Sequence, residues 1–279
     1  MSRAAPLLPL ALAAVLAVAA PLPAQAGRAC DEQPLTVAQL AGGLGLAQAT
    51  ARRLDASGAE VVMLARAGQD LGKYGLQWSH LGLAYRDGSA WRVLHKLNHC
   101  GSDSAQLYRQ GLGDFFLDHP HRLEAGFVVL APALQARLAP LLRDARAALQ
   151  WHEPRYNMVA YPWSTQYQQS NQWAIETLAG AMDPLAAAEA QPQRRRERAQ
   201  AWLRLADYRP TPLKLGAFER LGARVSMAHV AFDDHPGAQR WADRIDTVTA
   251  DSVFDWLARA GLGQPLQRVG CDATCRAGG

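Results

Sequence analysis

Tyr74-Gly75-Leu76-Gln77-Trp78-Ser79-His80-Leu81-Gly82-Leu83-Ala84-Tyr85-Arg86-Asp87-Gly88-Ser89-Ala90-Trp91-Arg92-Val93-Leu94-His95-Lys96-Leu97-Asn98 reads as two strands joined at Asp87-Gly88. Asp-Gly between alternating segments is a strong hairpin signal, because its residues accept the positive φ of a tight turn. A two-residue turn at that dipeptide pairs Arg86 with Ser89. Counting back then sets Ala84 opposite Trp91, Gly82 opposite Val93 and His80 opposite His95. Side chains alternate along a strand, so Trp78, His80, Gly82 and Ala84 share one face with Trp91, Val93, His95 and Leu97. Two histidines on an apolar face need hydrogen-bond partners. Such a pair serves either as satisfied polar groups in the core or as a catalytic base with its orienter.

Outside the hairpin, the amino terminus has the three parts of a secretory signal: Arg3, an apolar run over residues 7–22, and Ala24-Gln25-Ala26 before Gly27. The expected organisation is a signal peptide, 1–26, followed by one exported, periplasmic domain, 27–279, with no stable membrane span after cleavage. The formal charge of +4 falls to +3 without Arg3. The pI near 9.0 reflects arginine, notably Arg194-Arg195-Arg196, which reads as the solvated face of a polar linker. No basic stripe carries interleaved aromatics, which argues against nucleic acid as a partner. Cys30, Cys100, Cys271 and Cys275 all follow the cleavage site, and an even count in an exported chain points to two disulfides. Four cysteines allow three pairings; Cys271–Cys275 with Cys30–Cys100 is one of them.

Apolar spacing predicts a helix over 36–56 closed by Gly58, a short strand over 60–66, a helical segment over 104–116, and a strand over 127–131. A helix over 132–149 follows. The aromatic, amide-rich stretch 156–169 reads as extended or looped. Helices are expected over 170–182 and 186–206, extended chain over 208–215, a strand over 224–232, and a strand or a loop over 243–248. A final helix over 249–260 has Thr249 as its cap and Gly261 as its stop. Helices and strands mix without a βαβ register, so the fold class is α+β, an antiparallel sheet with packed helices. No glycine-rich phosphate loop appears, and the residues assign no cofactor.

Gln168-Gln169-Ser170-Asn171-Gln172-Trp173 runs straight into a helix. A side chain at such a start meets free N–H groups and the positive end of the helix dipole. Ser170 fits there either as a helix cap or as a nucleophile. With Ala174 and Leu178 on its side of the helix, packing on the sheet would carry the hydroxyl toward the histidines. The Ser79-His80-Leu81-Gly82-Leu83 and Gln169-Ser170-Asn171-Gln172-Trp173 segments resemble the histidine and nucleophile motifs of the circularly permuted papain-like superfamily. That superfamily includes cell-wall peptidases and lecithin:retinol acyltransferase-like enzymes. The resemblance implies a permuted papain-like core, with His80 as general base, His95 as orienter and Ser170 as nucleophile. It also implies cell-wall peptide as the substrate class. The superfamily's nucleophile is cysteine, so serine here departs at the reacting atom. The leader, Leu97-Asn98-His99-Cys100-Gly101, and Gln110-Gly111-Leu112 before Phe115-Phe116 resemble an uncharacterised family of bacterial periplasmic proteins, domain-of-unknown-function family 2145, across nearly all of 27–279.

Asp118-His119-Pro120-His121 and Asp233-Asp234-His235 hold metal-ligand residue types but read as polar turns. Arg66, just past a short strand, reads either as a cation facing an acidic ligand or as an exposed strand end. Three functions stay open: a hydrolase or acyltransferase acting on an amide or ester, a non-catalytic binding domain, and a structural protein of the envelope. The substrate, a binding partner and the oligomeric state are not legible.

Overall fold

The computed structural model describes residues 34–118, 120–226 and 229–270. The signal-peptide and cleavage readings, His119, and Cys30, Cys271 and Cys275 with their pairing lie outside these residues.

The described residues open with α1 (Val37–Ala56) and β1 (Val61–Arg66). The hairpin β2 (His80–Asp87) and β3 (Ala90–Asn98) leads to β4 (Ala105–Gly111), α2 (Leu112–Leu117) and β5 (Glu124–Val129). Helices α3 (Pro132–Arg143), α4 (Ala145–Leu149), α5 (Ser170–Met182), α6 (Pro184–Ala188) and α7 (Pro192–Leu205) follow. The last part holds β6 (Thr211–Lys214), α8 (Ala217–Ser226), α9 (Gly237–Trp241), β7 (Arg244–Thr247), α10 (Ala250–Arg259) and β8 (Gln267–Gly270). The main sheet has the order β4-β3-β2-β1-β5-β8, every neighbouring pair antiparallel, and β6–β7 form a separate ribbon. The α+β class expected from the sequence is what the chain adopts. No helix among the described residues is long and apolar enough to cross a membrane.

The hairpin forms, with a shifted register. Asp87 pairs with Ala90, so Gly88 and Ser89 are the loop, and Gly88 takes φ +61°. Moving the turn by one residue moves every partner by two, and Ala84 faces Val93 instead of Trp91. A shift of two keeps each side chain on its face; a shift of one would have reversed them all. Val62, Leu64, Ala84, Val93 and Phe127 therefore pack against Leu46, Leu54, Phe115 and Phe116 of α1 and α2. Met63, Leu81, Leu83, Tyr85 and Val128 pack on the other face, against α3, α5 and α10. Both faces being covered, Leu81-Gly82-Leu83-Ala84-Tyr85 is buried throughout, as a sheet buried on both sides requires.

Several local expectations are corrected. Residues 105–111 form β4 and not a helix, because pairing with β3 from Arg92–Gly111 to Asn98–Ala105 outweighs local propensity. Residues 224–226, expected to open a strand, are instead the end of α8, and 229–232 are neither helix nor strand. The helix expected over 132–149 breaks at Asp144, whose carboxylate caps α4 through the Arg146 N–H at 2.8 Å. Pro192 opens α7, since its missing N–H costs nothing at a first turn. The arginine run is therefore helical and not a linker, with Arg195 and Arg196 buried. Arg66 is also buried, paired with Asp118 and donating to the Phe115 carbonyl.

Candidate functional site

His80 opens β2 and His95 lies near the end of β3, both on the α1/α2 face. The paired part of the hairpin begins at Leu83–Leu94, so the two histidines are not direct cross-strand partners. Gly82 lies between them, with no side chain: a Cβ there would meet Val93 at 2.4 Å and the His95 Cβ at 3.3 Å. Across that gap His80 Nε2 reaches His95 Nδ1 at 2.8 Å, and His95 Nε2 reaches Gln110 Oε1 of β4 at 2.8 Å. The Phe115 ring closes the group at 6.0 Å from the His80 ring and 5.2 Å from the His95 ring.

The proton order follows from the end of this relay. The Gln110 oxygen only accepts, so His95 Nε2 carries the proton and Nδ1 accepts. His80 Nε2 then donates into the pair. Burial, and next the Arg66 guanidinium, lower the His95 pKa to about 3, while the Gln110 hydrogen bond pulls the other way. His95 is thus neutral at physiological pH and hydrogen-bonded to His80.

Ser170 is not brought to this pair. It begins α5, whose Trp173, Ala174, Ile175 and Leu178 lie on the opposite face with Leu81 and Leu83. Ala174 and Leu178 do pack on the sheet, as their spacing predicts. The sheet has two covered faces, however, and α5 covers the one from which His80 points away. The expectation that all three residues line one cleft is corrected accordingly. The helix cap is Gln169, whose side chain accepts the Asn171 N–H, so Ser170 is the first helical residue. Its hydroxyl interacts with the phenol of Tyr156, partly offsetting the burial that raises the Tyr156 pKa. The neighbouring Asn171 docks α5 on the hairpin by accepting the Leu81 N–H at 2.9 Å.

The other candidates resolve as structural contacts. Asp234 accepts the Tyr161 N–H at 2.8 Å and faces His235 Nδ1 at 3.0 Å, while His235 Nε2 meets the Asp246 carbonyl at 3.1 Å. Among the described residues no group of three or more His, Cys, Asp and Glu could hold a metal ion. Trp78, Trp91 and Trp173 are buried in the core.

Sequence reasoning missed a buried polar cluster. Glu176 of α5 accepts from Gln168 Nε2, Arg196 Nε and Gln200 Nε2, each at 2.7 Å, and from Arg196 Nη2 and Gln172 Nε2, each at 3.1 Å. Gln168 links this hub to the fully buried Lys96, whose ammonium donates to Gln168 Oε1 at 3.0 Å and to the Glu153 carbonyl at 2.5 Å. Burial, then Arg196, hold the Lys96 pKa well below its ordinary value. The available signal was an arginine run in one helix and Glu176 as the charged residue of the Ser170–Met182 helix.

These elements define a mixed α+β protein with a buried histidine pair on one sheet face and a glutamate-centred network on the other. Residues 53–257 match the family DUF2145, described as an uncharacterized protein conserved in bacteria, and the chain belongs to that family. His80, His95 and Ser170 all lie within the matched residues. No curated protein and no solved structure matches the chain, and the papain-like likeness rests on the two sequence motifs alone.

Proposed function

We propose that this chain is an exported component of the bacterial cell envelope that binds or scaffolds without covalent catalysis at Ser170. One observation carries this reading: the histidines and Ser170 lie on opposite faces of the main sheet. A serine nucleophile needs its base within hydrogen-bond reach, or one water away. Among the described residues the hydroxyl meets a phenol and no imidazole. Cell-wall peptide is the ligand class that the papain-like motifs favour. Export and pairwise oxidation of the cysteines are supported by the leader and the even cysteine count.

The test is labelling of the mature full chain with an active-serine phosphonate, read by mass spectrometry at Ser170. No adduct is expected, and Ser170→Cys should alkylate no faster than a free thiol. An adduct at Ser170, or a strongly accelerated thiol, would overturn the reading. Amino-terminal sequencing of periplasmic protein should start at Gly27; a cytoplasmic chain starting at Met1 would remove export from it.

A further inference from the structure

Phe218 and Trp241, at 92% and 90% exposure, are the most exposed large apolar side chains among the described residues. Both flank the same end of the β6–β7 ribbon. Lys214 pairs with Arg244 there, α8 follows Lys214 and α9 precedes Arg244. Arg220 of α8 ties the two sides together, bonding Asp243 at 2.8 Å, two residues past Trp241. On α8, Ala223 turns inward to the small core of Leu213, Leu215 and Ile245. Phe218 and Leu221 lie about 140–160° around the helix from it, on the outward side. Leu221 is 60% exposed.

Basic groups rim this apolar surface. Lys73, Lys214 and Arg224 are exposed, and Arg240 adjoins Trp241. Among the described residues none of these four is in a salt bridge. The nearby acids are largely engaged: Asp243 with Arg220, and Glu219 at the start of α8. Exposed aromatics beside lysine and arginine suit the boundary between lipid headgroups and acyl chains, where rings enter the apolar edge and cations meet phosphates.

We propose that the α8–α9 end of the ribbon docks on an anionic phospholipid surface, with Phe218, Leu221 and Trp241 entering the interface and Lys214 and Arg224 meeting the headgroups. This surface is distinct from the histidine pair and does not depend on whether Ser170 reacts.

The experiment is co-sedimentation of the mature full chain with phosphatidylglycerol-containing vesicles and with pure phosphatidylcholine vesicles. Binding to the anionic vesicles should exceed binding to neutral ones and fall with added salt. The Lys214→Gln, Arg224→Gln pair should weaken it by roughly fivefold for each cation removed. Phe218→Ser with Trp241→Ser should weaken it at least about tenfold, with an unchanged melting temperature because both side chains are exposed. Equal binding to both vesicle types, or full binding by the Phe218→Ser, Trp241→Ser variant, would overturn the proposal. So would a dimer in solution that this variant converts to monomer while vesicle binding is absent, which would assign the patch to a second copy of the chain.

Discussion

Replacing Glu176 with glutamine keeps the volume of the side chain and removes its charge. The carboxylate accepts five hydrogen bonds on two oxygens, from Gln168, Gln172, Gln200 and twice from Arg196. A carboxamide offers one oxygen, so its NH₂ must face donors on the other side. The Arg196 guanidinium, with its side chain only 3% exposed, would lose its counter-charge while Lys96 remains nearby. Breaking one partner of a buried ion pair costs about 3–5 kcal/mol, because the remaining charge is buried and uncompensated. For a chain of this size that is a fall in melting temperature of roughly 6–20 °C. The assay is urea unfolding followed by far-UV circular dichroism, together with a thermal scan. Adding Arg196→Met to Glu176→Gln removes the stranded cation and should recover part of the loss, which a double-mutant cycle measures. A single-variant loss below about 1 kcal/mol, or a double variant no more stable than Glu176→Gln, would refute the assignment of Glu176 as the hub.

Burial of His95 makes stability fall with acid. His95 stays neutral in the fold down to about pH 3, whereas the unfolded imidazole takes a proton below about pH 6.5, so the unfolded state binds more protons across that window. Stability is fully present above pH 6.5 and should drop by about 2 kcal/mol on going to pH 5; His95→Gln should flatten this slope in chemical denaturation at the two pH values. His152, lowered to about 4 mainly by burial, contributes a slope of the same sign in both proteins, so only the difference between them reports His95. Gly180→Ala should lower the melting temperature despite alanine's better helix propensity, since its Cβ would fall 2.0 Å from the Trp151 ring; overpacking of this kind costs about 1–3 kcal/mol. A neutral or stabilising Gly180→Ala would show that Trp151 can move aside.

Alternation and turn chemistry in the sequence determined that residues 80–98 form a hairpin with His80 and His95 on one face. That survived an incorrect turn position because a two-residue shift preserves parity. The capping signal at Thr249 is local, and that helix begins where Thr249 places it. The beginning of α5 at Ser170 was equally legible. What the sequence could not decide is which face of the sheet each helix covers. An apolar stripe specifies that a helix is buried, but the same Ala174 and Leu178 would fit either side. That choice depends on α1 and α2 occupying the face beneath the histidines, and it separates Ser170 from them. Long-range partnership also turned Arg196 of α7 from part of a solvated run into the counter-charge of Glu176, 20 residues away in sequence. A buried charge is stable only with its partner, and the partner is supplied by packing, which local sequence does not encode.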